Sequence, residues 1–127
     1  MEIIDKNGYL RAAFCYIKKK IGSLQEIKKI VEQTGIKEND IRRFVTGLRD
    51  FSERNFLSFL EEKLEESHSS LGGVNAEIES VNVGLDTRNR KPYIIIKIIA
   101  KILSDDEEED RVELSFKIFS KNQIEML

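Results

Sequence analysis

The chain has little that can react or cross-link. Its 127 residues include one cysteine, Cys15, so no internal disulfide can form. There is one histidine, His68, and a single imidazole with no second His or Cys nearby is a poor start for a zinc site. Tryptophan is absent and proline occurs once, at Pro92. No apolar run approaches the roughly 20 residues that a membrane-spanning helix needs. The opening MEIIDKNG has no basic segment leading into a long apolar one, so no secretory signal is expected. These features together predict a cytoplasmic protein without membrane partners.

What is present is charge and branched aliphatic side chains. Charged residues make up 35% of the chain and apolar residues 40%, enough for a real core. The net charge of −2 hides a blocky distribution. Residues 1–60 sum to +4, 61–85 to −5, 86–103 to +4 and 104–127 to −5. A dedicated phosphate binder is usually more basic overall, yet the first block keeps DNA in play.

The first half reads as helices. Leu10, Phe14, Ile17 and Ile21 recur at helical spacing over 8–21, with Asn7 as a candidate cap and Gly22 as a stop. Ser23 and Glu26 form a capping-box pattern before a helix over about 24–34, whose face is Leu24, Ile27, Ile30 and Val31. Gly35 stands where that helix must stop and the backbone must turn left-handed. A third helix spans about 38–46, pinned by Ile36, Ile41 and Phe44. Asp50 and Glu53 repeat the capping-box pattern and open a fourth helix to about Ser67. The segment 23–47 thus has the spacing of a helix-turn-helix, which can lay its second helix in a DNA major groove.

Two short runs in this segment carry a resemblance: Thr34-Gly35-Ile36 and Ile41-Arg42-Arg43-Phe44. Over residues 23–47 the chain resembles the helix-turn-helix units of the MerR-like group and of small bacterial flagellar-operon regulators. Val31 departs from that pattern, which usually has alanine four residues before the turn glycine. The resemblance implies DNA binding.

After a polar, Gly-containing joint at 68–75 the period changes from 3.6 to 2. Ala76–Leu85 reads as a strand whose apolar phase slips near Glu79–Ser80, the mark of a bulge. Tyr93–Leu103 is a second strand and Arg111–Phe119 a third, while the last eight residues read as the start of a short helix. The predicted fold class is α+β. A trihelical, helix-turn-helix-like unit occupies 1–49, a linking helix 50–67, the joint 68–75, and a three-stranded antiparallel meander 76–127. The first and third strands would be the edges of that meander.

The candidate DNA-contacting residues are Lys37, Asn39, Arg42, Arg43 and Thr46 on the third helix. Arg88, Arg90 and Lys91 join them at the first hairpin turn, which could touch phosphate as a wing does. Asn matches adenine edges, Arg guanine edges, and Lys phosphate. Glu38 and Asp40 lie among them and would repel phosphate. Tyr93, Ile95, Ile99 and Leu103 lie on the second face of the middle strand, away from Ile94, Ile96, Ile98, Ala100 and Ile102. A homodimer through the sheet would cover them. The acidic run from Asp105 to Asp110 lacks the glycine and spaced oxygen ligands of a calcium loop. Cys15, between Phe14 and Tyr16, reads as a small core residue, and no metal ligand set, cofactor motif or catalytic constellation stands out. The leading expectation is a small, non-enzymatic DNA-binding or regulatory protein. The alternative is a protein–protein interaction module without nucleic acid, such as an adaptor, an immunity-type inhibitor or a chaperone.

Overall fold

A computed structural model describes residues 2–68, 75–87, 91–103 and 109–127. The elements run β1 (Glu2–Ile4), α1 (Tyr9–Ile21), α2 (Leu24–Thr34), α3 (Glu38–Gly47), α4 (Glu53–His68), β2 (Asn75–Asp86), β3 (Tyr93–Leu103), β4 (Glu109–Ser120) and β5 (Gln123–Met126). The class is α+β, helices then sheet. Among the described residues the sheet has five strands in the order β1-β2-β3-β4-β5, where the sequence predicts three.

Both added strands are short. β1 pairs in parallel with β2 over Asn75–Glu77, and β5 pairs antiparallel with β4. Three residues are too few to carry a readable period, so β1 escaped the pattern. The tail forms a strand rather than a helix because Ile124 and Met126 stand opposite Ile118 and Phe116, which continues the sheet's alternation. The expected bulge is present, as the β2–β3 register shifts between Ile78 and Ser80.

Three local expectations change. Asn7 does not cap α1. Gly8 takes a left-handed conformation (φ 68°) instead, and the Asp5 carboxylate accepts hydrogen bonds from the Leu10 and Arg11 amides at 3.1 and 3.3 Å. Asp50 does not cap α4. The turn from Leu48 buries Phe51 first, and Ser52 then accepts from the Asn55 amide through its hydroxyl and from the Phe56 amide through its carbonyl. Cys15 is exposed rather than buried. Gly22 ends α1 as expected.

One large core joins helices to sheet. α1 and α4 cover one face, where Ile94, Ile96, Ile98, Ala100 and Ile102 of β3 are all buried. Phe56 of α4 centres an aromatic cluster, with ring centroids 5.5 Å from Phe14, 6.2 Å from Phe51 and 5.6 Å from Phe116. No helix among the described residues is long and apolar enough to cross a membrane.

Candidate nucleic-acid interface

The α2–α3 turn is built as its sequence predicts, with two departures: Leu24, expected on the buried face of α2, is exposed at the first turn, and Phe44, expected to pin α3 onto α2, packs in the large core instead. The Ser23 hydroxyl accepts from the Glu26 amide at 3.2 Å. Gly35 takes φ 69° and its amide closes on the Val31 carbonyl at 3.0 Å, so α2 ends with an αL cap. Ile27, Ile30, Ile36 and Ile41 then form a second, smaller core, with Val31, Val45 and Leu85 packed against it.

Leu85 belongs to β2, so the far end of the β2–β3 hairpin is seated against the helix-turn-helix. Thr87 lines a cleft with Gln33 and Thr34 on the α2 side of the turn. Lys91 and Pro92 line another, of about 500 Å³, with Asp40, Arg43 and Phe44 of α3 and with Phe119. The two sides of one hairpin turn thus meet the helix-turn-helix, one at the end of α2 and the other at α3. Sequence order alone hides this, because α4 and the joint intervene.

α3 buries Ile41 and Phe44 along one side, and Leu48 just past its end is buried as well. At 3.6 residues per turn, Asn39, Arg42, Arg43 and Thr46 share the opposite arc, and all four are exposed. Lys37 is exposed at the N-cap position. The Arg42 guanidinium pairs with Glu38 one turn earlier at 2.9 Å, both groups facing solvent. Arg43 lies in the cleft with Lys91, alongside the half-buried Asp40. Thr46 lies in a different cleft of about 500 Å³, which it shares with Lys18 of α1 and Arg49. Arg88 and Arg90 fall outside the described residues.

The exposed arc of α3 is therefore bracketed by two clefts, each with two cations. Lys18 and Arg49 were absent from the sequence-derived set. Their only signal was position: Lys18 sits in the last turn of α1, and Arg49 just beyond Gly47. α3 is also fixed at its far end, where the Lys121 amide donates to the Gly47 carbonyl at 2.8 Å. A side chain at Gly47 would meet Ser120 at 3.0 Å, so glycine permits this close approach.

The residues expected at a dimer face lie elsewhere, on the side of the sheet away from the helices. Tyr93 is buried there. Its ring packs on Phe119 with centroids 5.3 Å apart, the Lys117 ammonium stands 4.9 Å over it, and its hydroxyl donates to Asp86 at 2.9 Å. Ile95, Ile99 and Leu103 are half-buried. Across the ladder Ile95 faces Gly84 and Lys117, and Ile99 faces Ser80 and Glu113. The apolar stripe is thus one strand wide and is flanked mainly by polar groups, including the Glu79–Arg111 pair at 2.8 Å.

Among the described residues no group of three His, Cys, Asp or Glu side chains could hold a metal ion. No protein-family model, curated protein or solved structure matches the chain.

Proposed function

We propose that the chain is a small DNA-binding protein that sets α3 into the major groove of a duplex. The observation that carries this reading is the shared cleft of Arg43 and Lys91. One belongs to α3 and the other to the turn end of the hairpin, and the fold gathers them beside a helix-turn-helix. A helix about 10–12 Å across with its side chains matches a groove about 12 Å wide. In this pose Asn39, Arg42 and Arg43 meet base edges. Lys91 meets phosphate on one side of the groove, and Lys18 with Arg49 on the other. Arg42 must leave Glu38 to do so, which costs at most about 1 kcal/mol for an exposed pair. Glu38 and Asp40 repel nearby phosphates, so they lower affinity and disfavour poses in which the backbone slides towards them. A protein acting on DNA in this way, with one free cysteine, fits the cytoplasm.

Fluorescence anisotropy with a mixed-sequence duplex between 50 and 200 mM salt tests the reading. Binding should weaken steeply with salt, by roughly one logarithmic unit per unit of log salt for each phosphate contacted. Arg43→Ala with Lys91→Ala should weaken it about tenfold or more and flatten the slope, with circular dichroism unchanged. No binding by the wild type at low salt would refute DNA recognition. The interaction-module reading would then stand on the Glu38–Arg42 pair and on Asp40, since a face of mixed charge suits a protein partner.

A further inference from the structure

The clefts around the helix-turn-helix differ in charge. The one beside α2 contains Glu26, which pairs with Lys20 at 3.9 Å and with Lys29 at 3.7 Å. The one beside the hairpin contains Asp40 together with Arg43 and Lys91. The cleft between the ends of α1 and α3 holds Lys18 and Arg49, and no carboxylate lines it. Among the described residues neither of these two side chains has an ion-pair or hydrogen-bond partner. Asp50 follows Arg49 in the chain but is exposed outside the cleft lining.

Two helices end at this cleft, and a helix C-terminus ordinarily offers bare carbonyls that attract cations and repel anions. Here the last four carbonyls of α3 are already taken. Phe44 and Val45 accept from the Leu48 amide, Thr46 from the Arg49 amide and Gly47 from the Lys121 amide. At α1 the full charge of Lys18 exceeds the roughly half charge of a helix end. The backbone therefore leaves both cations unmatched. The floor beneath them is apolar: Ile21 and Leu48 are buried and Val45 is half-buried. Thr46 adds an exposed hydroxyl at the rim.

We propose that this cleft binds a small organic acid, its carboxylate held by Lys18 and Arg49 and its aliphatic body laid over Ile21, Val45 and Leu48. A volume of about 500 Å³ is in the range of small-molecule sites. The Arg49 guanidinium can grip a carboxylate through two parallel hydrogen bonds, and the Lys18 ammonium adds a point charge. A bare inorganic anion would leave the apolar floor uncovered, and a neutral apolar molecule would leave both cations unmatched. An acid with an apolar tail satisfies both. The same two cations meet phosphate in the DNA pose, so a bound acid would compete with a duplex there. The acid site itself does not rest on DNA binding.

Titration of the nitrogen-15-labelled full chain with octanoate, followed by amide chemical shifts, tests the proposal. Octanoate should saturate, with the largest shifts at residues 18–22 and 45–49. Affinity should rise about threefold to fourfold for each methylene added from hexanoate to decanoate, the increment for burying one CH₂. Inorganic phosphate and octanol should each bind at least tenfold more weakly than octanoate. Lys18→Gln with Arg49→Gln alters exposed side chains, so the fold should persist, and octanoate affinity should fall at least tenfold. Lys6→Gln with Lys28→Gln removes the same charge away from the cleft and should leave affinity unchanged. Absence of saturation by octanoate up to about 10 mM, an affinity too weak for a specific site, overturns the proposal. So does binding that ignores chain length, that phosphate or octanol matches, or that survives the Lys18 and Arg49 changes. None of these readouts uses DNA, so the acid site and the DNA reading can fail separately.

Discussion

Replacing Phe56 by alanine tests whether the helices and the sheet are held as one cooperative body. Phe56 is fully buried, and its ring lies between Phe14 of α1, Phe51 of the α3–α4 connection and Phe116 of β4. Truncating a buried Phe to Ala costs about 3–5 kcal/mol, through lost transfer free energy and the cavity left behind. Each ring pair adds roughly 0.5–1.5 kcal/mol beyond area, though not additively. About 4 kcal/mol is therefore expected. A chain of 127 residues has on the order of 6–19 kcal/mol in all, so the variant should fold but melt roughly 15 °C lower. Phe56→Leu keeps most of the volume and should cost only about 1–2 kcal/mol. Urea unfolding followed by far-ultraviolet circular dichroism measures both, with near-ultraviolet signals from the tyrosines of α1 and β3 as separate reporters. All signals should move together to a lower midpoint. A loss below about 1 kcal/mol, or a sheet signal that outlasts the helical one, would refute the single shared core.

Two further substitutions test local devices by the same unfolding assay. Gly35→Ala should cost about 1–2 kcal/mol, because alanine is strained at φ 69°, and Gly35→Asn should cost less, since asparagine tolerates that region better. Asp5→Ala should cost about 0.5–2 kcal/mol by leaving the Leu10 and Arg11 amides without their acceptor, and Asp5→Asn should restore part of it.

The helical half was legible where a helix marks its own end, which the starts of α1 and α4 did not do. Ser23, Gly35 and Gly22 act on residues within one turn of themselves, and local chemistry survives whatever the rest of the chain does. The long strands were legible for a similar reason, since β3 alternates over eleven residues and the slip at Glu79–Ser80 marks its own bulge. What stayed hidden depends on distance. β1 exists only because β2 offers it an edge, and β5 only because β4 does. Asp50 matched the cap pattern, but burial of Phe51 moved the start of α4 to Ser52, a tertiary decision overriding a local one. The candidate site divides in the same way. The arc Asn39, Arg42, Arg43 and Thr46 follows from helical spacing. The approach of Lys91 from the hairpin, and of Lys18 and Arg49 from the other side, needs the folded sheet to bring them there.

The parallel pairing of β1 with β2 also sets an order of events in time. Glu2 stands opposite Asn75, so 73 residues of chain must be looped before this ladder can close. The entropy of closure grows only slowly with loop length, but non-local pairings form late and slow folding. At a synthesis rate of about 5–20 residues per second, β1 leaves the ribosome some 4–15 seconds before its partner strand exists. Helices form in about a microsecond and can assemble during that interval. The nascent chain therefore passes through a stage in which α1–α3 are present while Ile3 and Ile4 have no sheet to join. This short strand would act as a latch, closing after β2 has emerged and fastening the N-terminal segment to the sheet.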